Sequence, residues 1–226
     1  MTGRKDATEV KVAVVGLGRF GESVARTLND LGYEVTAIDS DERRVAQIAD
    51  DVTLAAQGDG TDEEVLRSLH VDRSDVGVVG QGKNLEASVI ITLLLKKLGV
   101  PWVIAKAESA LHGELLARIG ADRIVYPERS AGIAVAHSLL IRNITDYISL
   151  SRSSGVAKLT ATRGSVGRTL HDLIPAEAPV DVLLVRRGSQ MLVTPDLSER
   201  VQVGDDVVVV GPDAAIDAFA DAIHRD

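Results

Sequence analysis

The sequence predicts an α/β protein, a Rossmann-like doubly wound parallel sheet with a crossover helix and a small α+β lobe behind it. Three observations predict it. From Lys11 onward, short β-branched runs alternate with amphipathic stretches, the order that gives strand, helix and parallel strand in succession. A glycine turn, Gly16-Leu17-Gly18-Arg19-Phe20-Gly21, follows the first run and opens the first amphipathic stretch. The 226 residues are 45% hydrophobic but only 3% aromatic, so the core is aliphatic, as suits parallel strands covered by helices on both faces.

Taken in order, the strands of the first domain are expected at Val12–Val15, Glu34–Ile38, Val52–Ala56, Val76–Val79, Trp102–Ala105 and Arg123–Val125. Helices are expected between them near Phe20–Leu31, Asp41–Ala49, Asp62–Leu69, Leu85–Leu98 and Ala110–Ile119. Right-handed crossovers then place helices on both faces and leave a ligand crevice at the carboxyl ends of the strands. After Tyr126-Pro127 the rhythm changes: Ala131 to Ile148 reads as one long helix, and Ser149 to Gly155, small and polar, as a linker. Strands at Lys158–Ala161, Val182–Arg186, Gln190–Val193 and Asp206–Val210, with helices near Thr169–Leu173 and Asp213–Ile223, form the second lobe. The expected division is a tail over 1–10, the Rossmann domain over 11–128, a crossover helix and linker over 129–154, and the C-terminal lobe over 155–226.

Composition narrows the function. A net charge of −8 argues against a nucleic-acid or anionic-membrane surface, which needs clustered Lys and Arg to replace counterions. The absence of cysteine removes disulfides, thiolate nucleophiles and thiolate metal sites, and is compatible with the cytosol. Met1–Val10 lacks the apolar core of a secretory signal, so export is not expected. The longest apolar stretch, Ala87–Leu95, is far short of the ~20 residues a bilayer span requires.

Each glycine of the turn has a mechanical reason. Gly16 allows the tight turn, Gly18 lets the backbone approach a pyrophosphate, and Gly21 permits close packing of helix on strand, so that phosphates meet the positive helix N-terminus. Leu17, Arg19 and Phe20 complete the binding turn. Asp39 closes the second strand at close to the ~20 residues beyond the turn where an acidic group grips ribose hydroxyls. Its carboxylate disfavours a 2′-phosphate, although Arg43 and Arg44 stand nearby, and a cap for the next helix is its other reading. Ser40 belongs to the same binding set, and Ser40 and Asp41 can cap as well. On the same rim, Asp59 and Gly60 of Gly58-Asp59-Gly60-Thr61 border the adenine, and Gly80 of Gly80-Gln81-Gly82-Lys83-Asn84 closes over ribose or phosphate, unless that loop is a plain turn capped by Asn84. Arg19 projects beside the phosphates, where it reaches either its own ligand or a neighbour's.

The sequence shows no reaction machinery around this turn. The five histidines, His70, His112, His137, His171 and His224, are scattered, and neither a G-x-S-x-G elbow nor a G-x-x-x-x-G-K-[ST] loop occurs. A nucleotide site without such groups suggests a ligand-biased switch rather than an enzyme. A small NAD-dependent oxidoreductase, or a nucleotide sensor with another client, is the alternative.

Val14-Val15-Gly16-Leu17-Gly18-Arg19-Phe20-Gly21, with Asp39, Gly58-Asp59-Gly60-Thr61, Asn84-Leu85-Glu86-Ala87-Ser88 and Ile119-Gly120-Ala121-Asp122-Arg123-Ile124-Val125-Tyr126-Pro127-Glu128, resembles the RCK (regulator of potassium conductance) subunits of Ktr and Trk potassium uptake systems. The resemblance covers essentially the whole chain. It implies dimers assembled into a cytoplasmic octameric ring, docked under an integral membrane potassium channel or transporter. ATP would favour the conducting ring and ADP the closed one, with NAD/NADH as the alternative pair. Arg19 matches the family's phosphate-sensing arginine, which reaches the terminal phosphate in a neighbouring subunit. Glu128 matches a glutamate that contributes to a cation site near the phosphates, and Lys106 a basic residue beside it. The C-terminal lobe resembles the TrkA-C type, some members of which bind cyclic di-AMP at the dimer interface. Pro195 fits that pocket, while the basic residue expected between Asp172 and Pro179 is replaced by Ile174-Pro175-Ala176-Glu177.

Overall fold

A computed structural model describes residues 10–140, 144–151, 153–176 and 180–224. The tail expected before Val10 therefore lies outside the described residues. The chain divides into two compact units, residues 1–128 and 129–226.

The first unit is built on six parallel strands, β1 (Lys11–Val15), β2 (Glu34–Asp39), β3 (Leu54–Gln57), β4 (Val76–Val79), β5 (Trp102–Lys106) and β6 (Arg123–Val125). They lie in the order β3-β2-β1-β4-β5-β6. Five helices alternate with them: α1 (Arg19–Asp30), α2 (Glu42–Ile48), α3 (Glu63–Ser68), α4 (Leu85–Lys97) and α5 (Ala110–Ile119). Chain order reverses between β1 and β4, so the loops after those two strands part and open the crevice expected of a doubly wound sheet. Two apolar clusters flank the sheet, one around Val15, Ile38, Ile91 and Leu95, the other around Val14, Leu17, Ala25 and Ile48. β3 starts two residues later than expected, because Thr53 Oγ1 accepts the Val35 amide at 3.0 Å and ends the preceding turn there.

The second unit is a five-stranded antiparallel sheet of β7 (Ile144–Ser149), β8 (Ser154–Thr160), β9 (Asp181–Arg187), β10 (Gln190–Val193) and β11 (Asp206–Pro212), in the order β10-β9-β11-β8-β7. Helices α7 (Leu170–Leu173) and α8 (Asp213–His224) accompany it, and α8 buries Ile216, Phe219 and Ile223 in the core of the lobe. Helix α6 (Pro127–Leu140) connects the two units in sequence.

The long helix expected from Ala131 to Ile148 is corrected here. Ile144–Ser149 pairs antiparallel with β8 as an edge strand, and the expected linker, Ser149 to Gly155, is the hairpin between β7 and β8. The apolar spacing of Ile144, Tyr147 and Ile148 fits a helical stripe, but the β-branched and aromatic content of Ile-Thr-Asp-Tyr-Ile suits a pleated strand better. Burying Tyr147 against the sheet decides the outcome. Arg152, within the expected linker, lies outside the described residues.

Candidate functional site

The site lies along the carboxyl edge of the first sheet. Gly16 leaves β1 with φ +97°, a conformation that side chains rarely adopt, and its amide donates to Ile38 O at 2.8 Å. A Cβ on Gly21 would stand 1.9 Å from Gly16 O, so α1 can start this close to β1 only with glycine there. The same carbonyl would lie 2.2 Å from a Cβ on Gly80, which fastens the loop after β4 to the turn after β1. Gly18 differs from these. A Cβ there would meet nothing within 4 Å, and no side chain caps the helix it opens. Its exposed cradle and the bare N-terminus of α1 are what a phosphate needs, because the first amides of a helix lack intrahelical acceptors and carry the positive end of its dipole.

Asp39 is buried at the end of β2, and its carboxylate is held from three sides. The Leu17 amide donates to Oδ2 at 2.6 Å, the Asp41 amide to Oδ1 at 2.9 Å, and Arg44 Nη1 lies 3.3 Å from Oδ2. The cap of α2 is Asp41, whose side chain accepts the Arg43 amide, so Asp39 is left to the site. After β3, Asp59 Oδ1 accepts the backbone amide and hydroxyl of Thr61 at 2.9 and 2.7 Å, and these bonds hold its pKa below the usual aspartate range. Gly60 is buried against Val15 and Ile91, with no room for a Cβ.

Two depressions follow from this arrangement. One is lined by Gly16, Ile38, Asp39, Ser40, Gly58, Asp59, Gly60, Thr61 and Ile91, with apolar side chains and the carboxylates of Asp39 and Asp59. The other is lined by Gly18, Arg19, Phe20, Arg44, Gly80, Lys83, Lys106, Glu108 and Glu128, and carries four cations. Gln81 lines both. Arg19 is exposed and forms no hydrogen bond or ion pair within the described residues. Lys106 is buried at the end of β5, and its ammonium bonds Glu128 Oε1 at 2.7 Å and Glu108 Oε1 at 3.1 Å. Burial opposes the charge of Lys106, but those two bonds outweigh it and raise its pKa. The bond from Lys106, and more weakly the charge of Arg19, hold Glu128 below the usual glutamate range.

The residues expected at the site from Gly16 to Glu128 border these two depressions except Leu17, which is buried beneath them and takes part through its amide, and Gly21, which is buried where α1 packs on the turn after β1. Glu108 and the bond from Arg44 to Asp39 are not among the sequence expectations, whereas Gln81 and Lys83 belong to the loop expected to close over ribose or phosphate. For Glu108 a signal existed: Lys106-Ala107-Glu108 alternates at the end of a strand, which puts residues 106 and 108 on one side. Asn84 does cap α4, accepting the Ala87 amide at 3.1 Å, while Gly80 and Gln81 of the same loop face the site. His112 is buried, bonded to Ser88 Oγ at 3.2 Å and to the Glu108 amide at 3.3 Å, and burial pushes its pKa down. Neither depression is lined by a histidine, and the His137 side chain lies outside the described residues. In the second unit, Arg168 spends its guanidinium on the carbonyls of Ala222 and Asp172. Pro195 follows β10, and residues 177–179 of the expected second pocket lie outside the described residues.

Comparison with known proteins finds two domain families in the chain. The TrkA-N domain family matches residues 12–127 and the TrkA-C domain family residues 156–224. The chain is 38% identical to Ktr system potassium uptake protein C of Bacillus subtilis (strain 168), covering 92% of this chain and 94% of that one. It is 36% identical to Ktr system potassium uptake protein A of Vibrio alginolyticus, covering 88% and 91%. Among solved structures, the crystal structure of the GsuK RCK domain superposes with a TM-score of 0.61 at 17% identity, covering 98% of this chain and 49% of that longer one, a likeness of fold.

Proposed function

Because the chain belongs to the TrkA-N/TrkA-C family, as the regulatory subunits of Ktr potassium uptake do, we propose that it is an adenine-nucleotide sensor that gates potassium uptake through a membrane partner. Its work is binding, and its output is a change in the shape of an assembly. The observation that carries this reading is Arg19, an exposed guanidinium at the mouth of the phosphate half that makes no hydrogen bond or ion pair among the described residues. A helix N-terminus disfavours an unpaired cation, and Glu128, whose Oε1 is bonded by Lys106, reaches Arg19 through its charge alone, so the guanidinium is open to a further anion.

The turn of Gly16 and Gly18, which Gly21 lets α1 approach, holds the pyrophosphate, Asp39 and Ser40 the ribose, and Asp59 with Gly60 the adenine edge. Gly80 and Lys106 close the phosphate half from the far side of the crevice. Arg19 reaches the terminal phosphate of a neighbour's nucleotide, so ATP brings one more charge than ADP to a movable interface between copies. The chain works as dimers joined in an octameric ring on the cytoplasmic face of the membrane. Glu128 contributes to a cation site at the phosphates. Its Oε1 is engaged by Lys106, and the remaining ligands of that site come from the phosphates and a neighbouring subunit. Among the described residues no helix is long and apolar enough to cross a membrane, which leaves the conducting path to the partner.

Calorimetry with the wild type and Arg19→Ala tests this. ATP affinity is expected to fall roughly tenfold or more, the value of a charge-assisted hydrogen bond, with ADP affinity little changed. Equal loss for both removes Arg19 as the phosphate counter. Turnover of NADH with a defined metabolite would replace the regulatory reading by the oxidoreductase one.

A further inference from the structure

Arg44 stands between the two halves of the site. It is the third residue of α2, half exposed, and its Nη1 lies 3.3 Å from Asp39 Oδ2. Two features set it apart from an ordinary structural ion pair. The oxygen it approaches is already engaged by the Leu17 amide at 2.6 Å, so the arginine holds the longer, second bond. Its side chain also lines the phosphate depression with Gly18, Arg19 and Lys106, and does not line the adenosine depression to which Asp39 belongs. The guanidinium thus touches the ribose carboxylate from the phosphate side.

We propose that Arg44 is a diphosphate ligand that the ribose sets free. Before ribose binds, it neutralises a buried carboxylate that would otherwise carry its charge with only amide donors around it. A ribose diol donating to Asp39 competes for the oxygen that Arg44 occupies. The released guanidinium then turns to the 5′-phosphates next to it, where its fork of donors matches phosphate geometry better than a shared carboxylate oxygen does. Ribose and phosphate recognition are coupled through one side chain. The inference rests on the adenine-nucleotide reading above and adds a division of labour: Arg44 grips the phosphates that ADP and ATP share, and Arg19 counts the one by which they differ.

The coupling has a signature that a structural role lacks. Titration of the full chain with ADP, ATP and adenosine, for wild type and Arg44→Gln, is expected to show ADP and ATP weakened by a similar factor, roughly tenfold. Adenosine, which has no phosphate to lose, is expected to bind as well as before or better, because its rival for Asp39 is gone. Arg44→Lys keeps the charge without the fork and is expected to recover only part of the ADP affinity. Unchanged ADP affinity in Arg44→Gln overturns the inference and leaves the nucleotide site standing. Parallel loss of ADP and adenosine overturns it too, since Arg44 would then merely hold Asp39 in place. If the wild type binds neither ADP nor ATP, the reading of the site falls, and this inference with it.

Discussion

Arg187 in the second unit and Arg19 in the first are both arginines near carboxylates, and they are used in opposite ways. Arg187 bonds Asp205 twice, at 3.0 and 2.8 Å, and adds Glu199 at 3.0 Å and the Arg200 carbonyl at 3.0 Å. The bonds to Asp205, against the cost of burial, raise its pKa further still. Each of its three nitrogens donates to an acceptor within the lobe. Arg19 points into the phosphate depression and is filled from nowhere in the described residues. A charge satisfied by its own fold stabilises that fold, whereas an unsatisfied one beside a bare helix N-terminus is available to a ligand or a neighbouring copy.

The largest expected effect comes from the filled side of this comparison. Asp205 is fully buried and also accepts the Gln202 amide at 2.9 Å. Asp205→Ala takes two of Arg187's four acceptor bonds and leaves that amide without its acceptor. It is expected to destabilise the C-terminal lobe by about 3 kcal/mol, the low end for a broken buried pair because Arg187 keeps some contact with water. Denaturant unfolding of the variant measures it, and a loss below about 1 kcal/mol would show that the network is only surface decoration. Arg19→Ala, by contrast, is expected to leave the denaturation midpoint unchanged.

Asp39 lies between the extremes, because it is buried like Asp205 yet serves the crevice. Asp39→Ala removes the ribose acceptor and is expected to weaken ATP, ADP and NAD alike, by ten- to a hundredfold, since a hydrogen bond to a charged group contributes about 1.5–3 kcal/mol. The expected contrast with Arg19→Ala is in kind, a loss shared by all adenine nucleotides against one confined to ATP. Unchanged binding would move the ribose elsewhere.

How much of this was legible in the sequence depended on the range of the signal. The glycine turn, Asp39 and the strand-end loops were readable because a parallel α/β sheet puts every strand-to-helix turn on one edge, so chain order alone assembles them. Glycine geometry could be anticipated at Gly16 and Gly21 from local mechanics. Arg44 was read only as a possible host for a 2′-phosphate, because its bond to Asp39 depends on how α2 turns back over β2. Ile144–Ser149 was misread because six residues carry too few apolar positions to separate a period of 3.6 from a period of 2, and pairing with β8 is information that no local window contains.

The smallest effect concerns Lys106 and Glu128, a pair that belongs to both sides of the comparison, since it is complete within the first unit yet sits in the phosphate half. The hydrogen bond from Lys106 keeps the Glu128 carboxyl below its ordinary value of 4.5. A depressed carboxyl contributes stability that is fully present above the ordinary value and is lost as pH falls through the depressed one. Glu128 is mostly exposed, so solvent screening holds the contribution to about 0.5 kcal/mol or less. Wild type and Glu128→Gln are therefore expected to differ slightly in denaturation midpoint near neutral pH and to converge in acid, and added salt should shrink the difference. If the gap persists in acid, Glu128 acts through something other than its charge. If there is no gap at neutral pH while phosphate binding changes, the pair, like Arg19, belongs to the ligand and not to the fold.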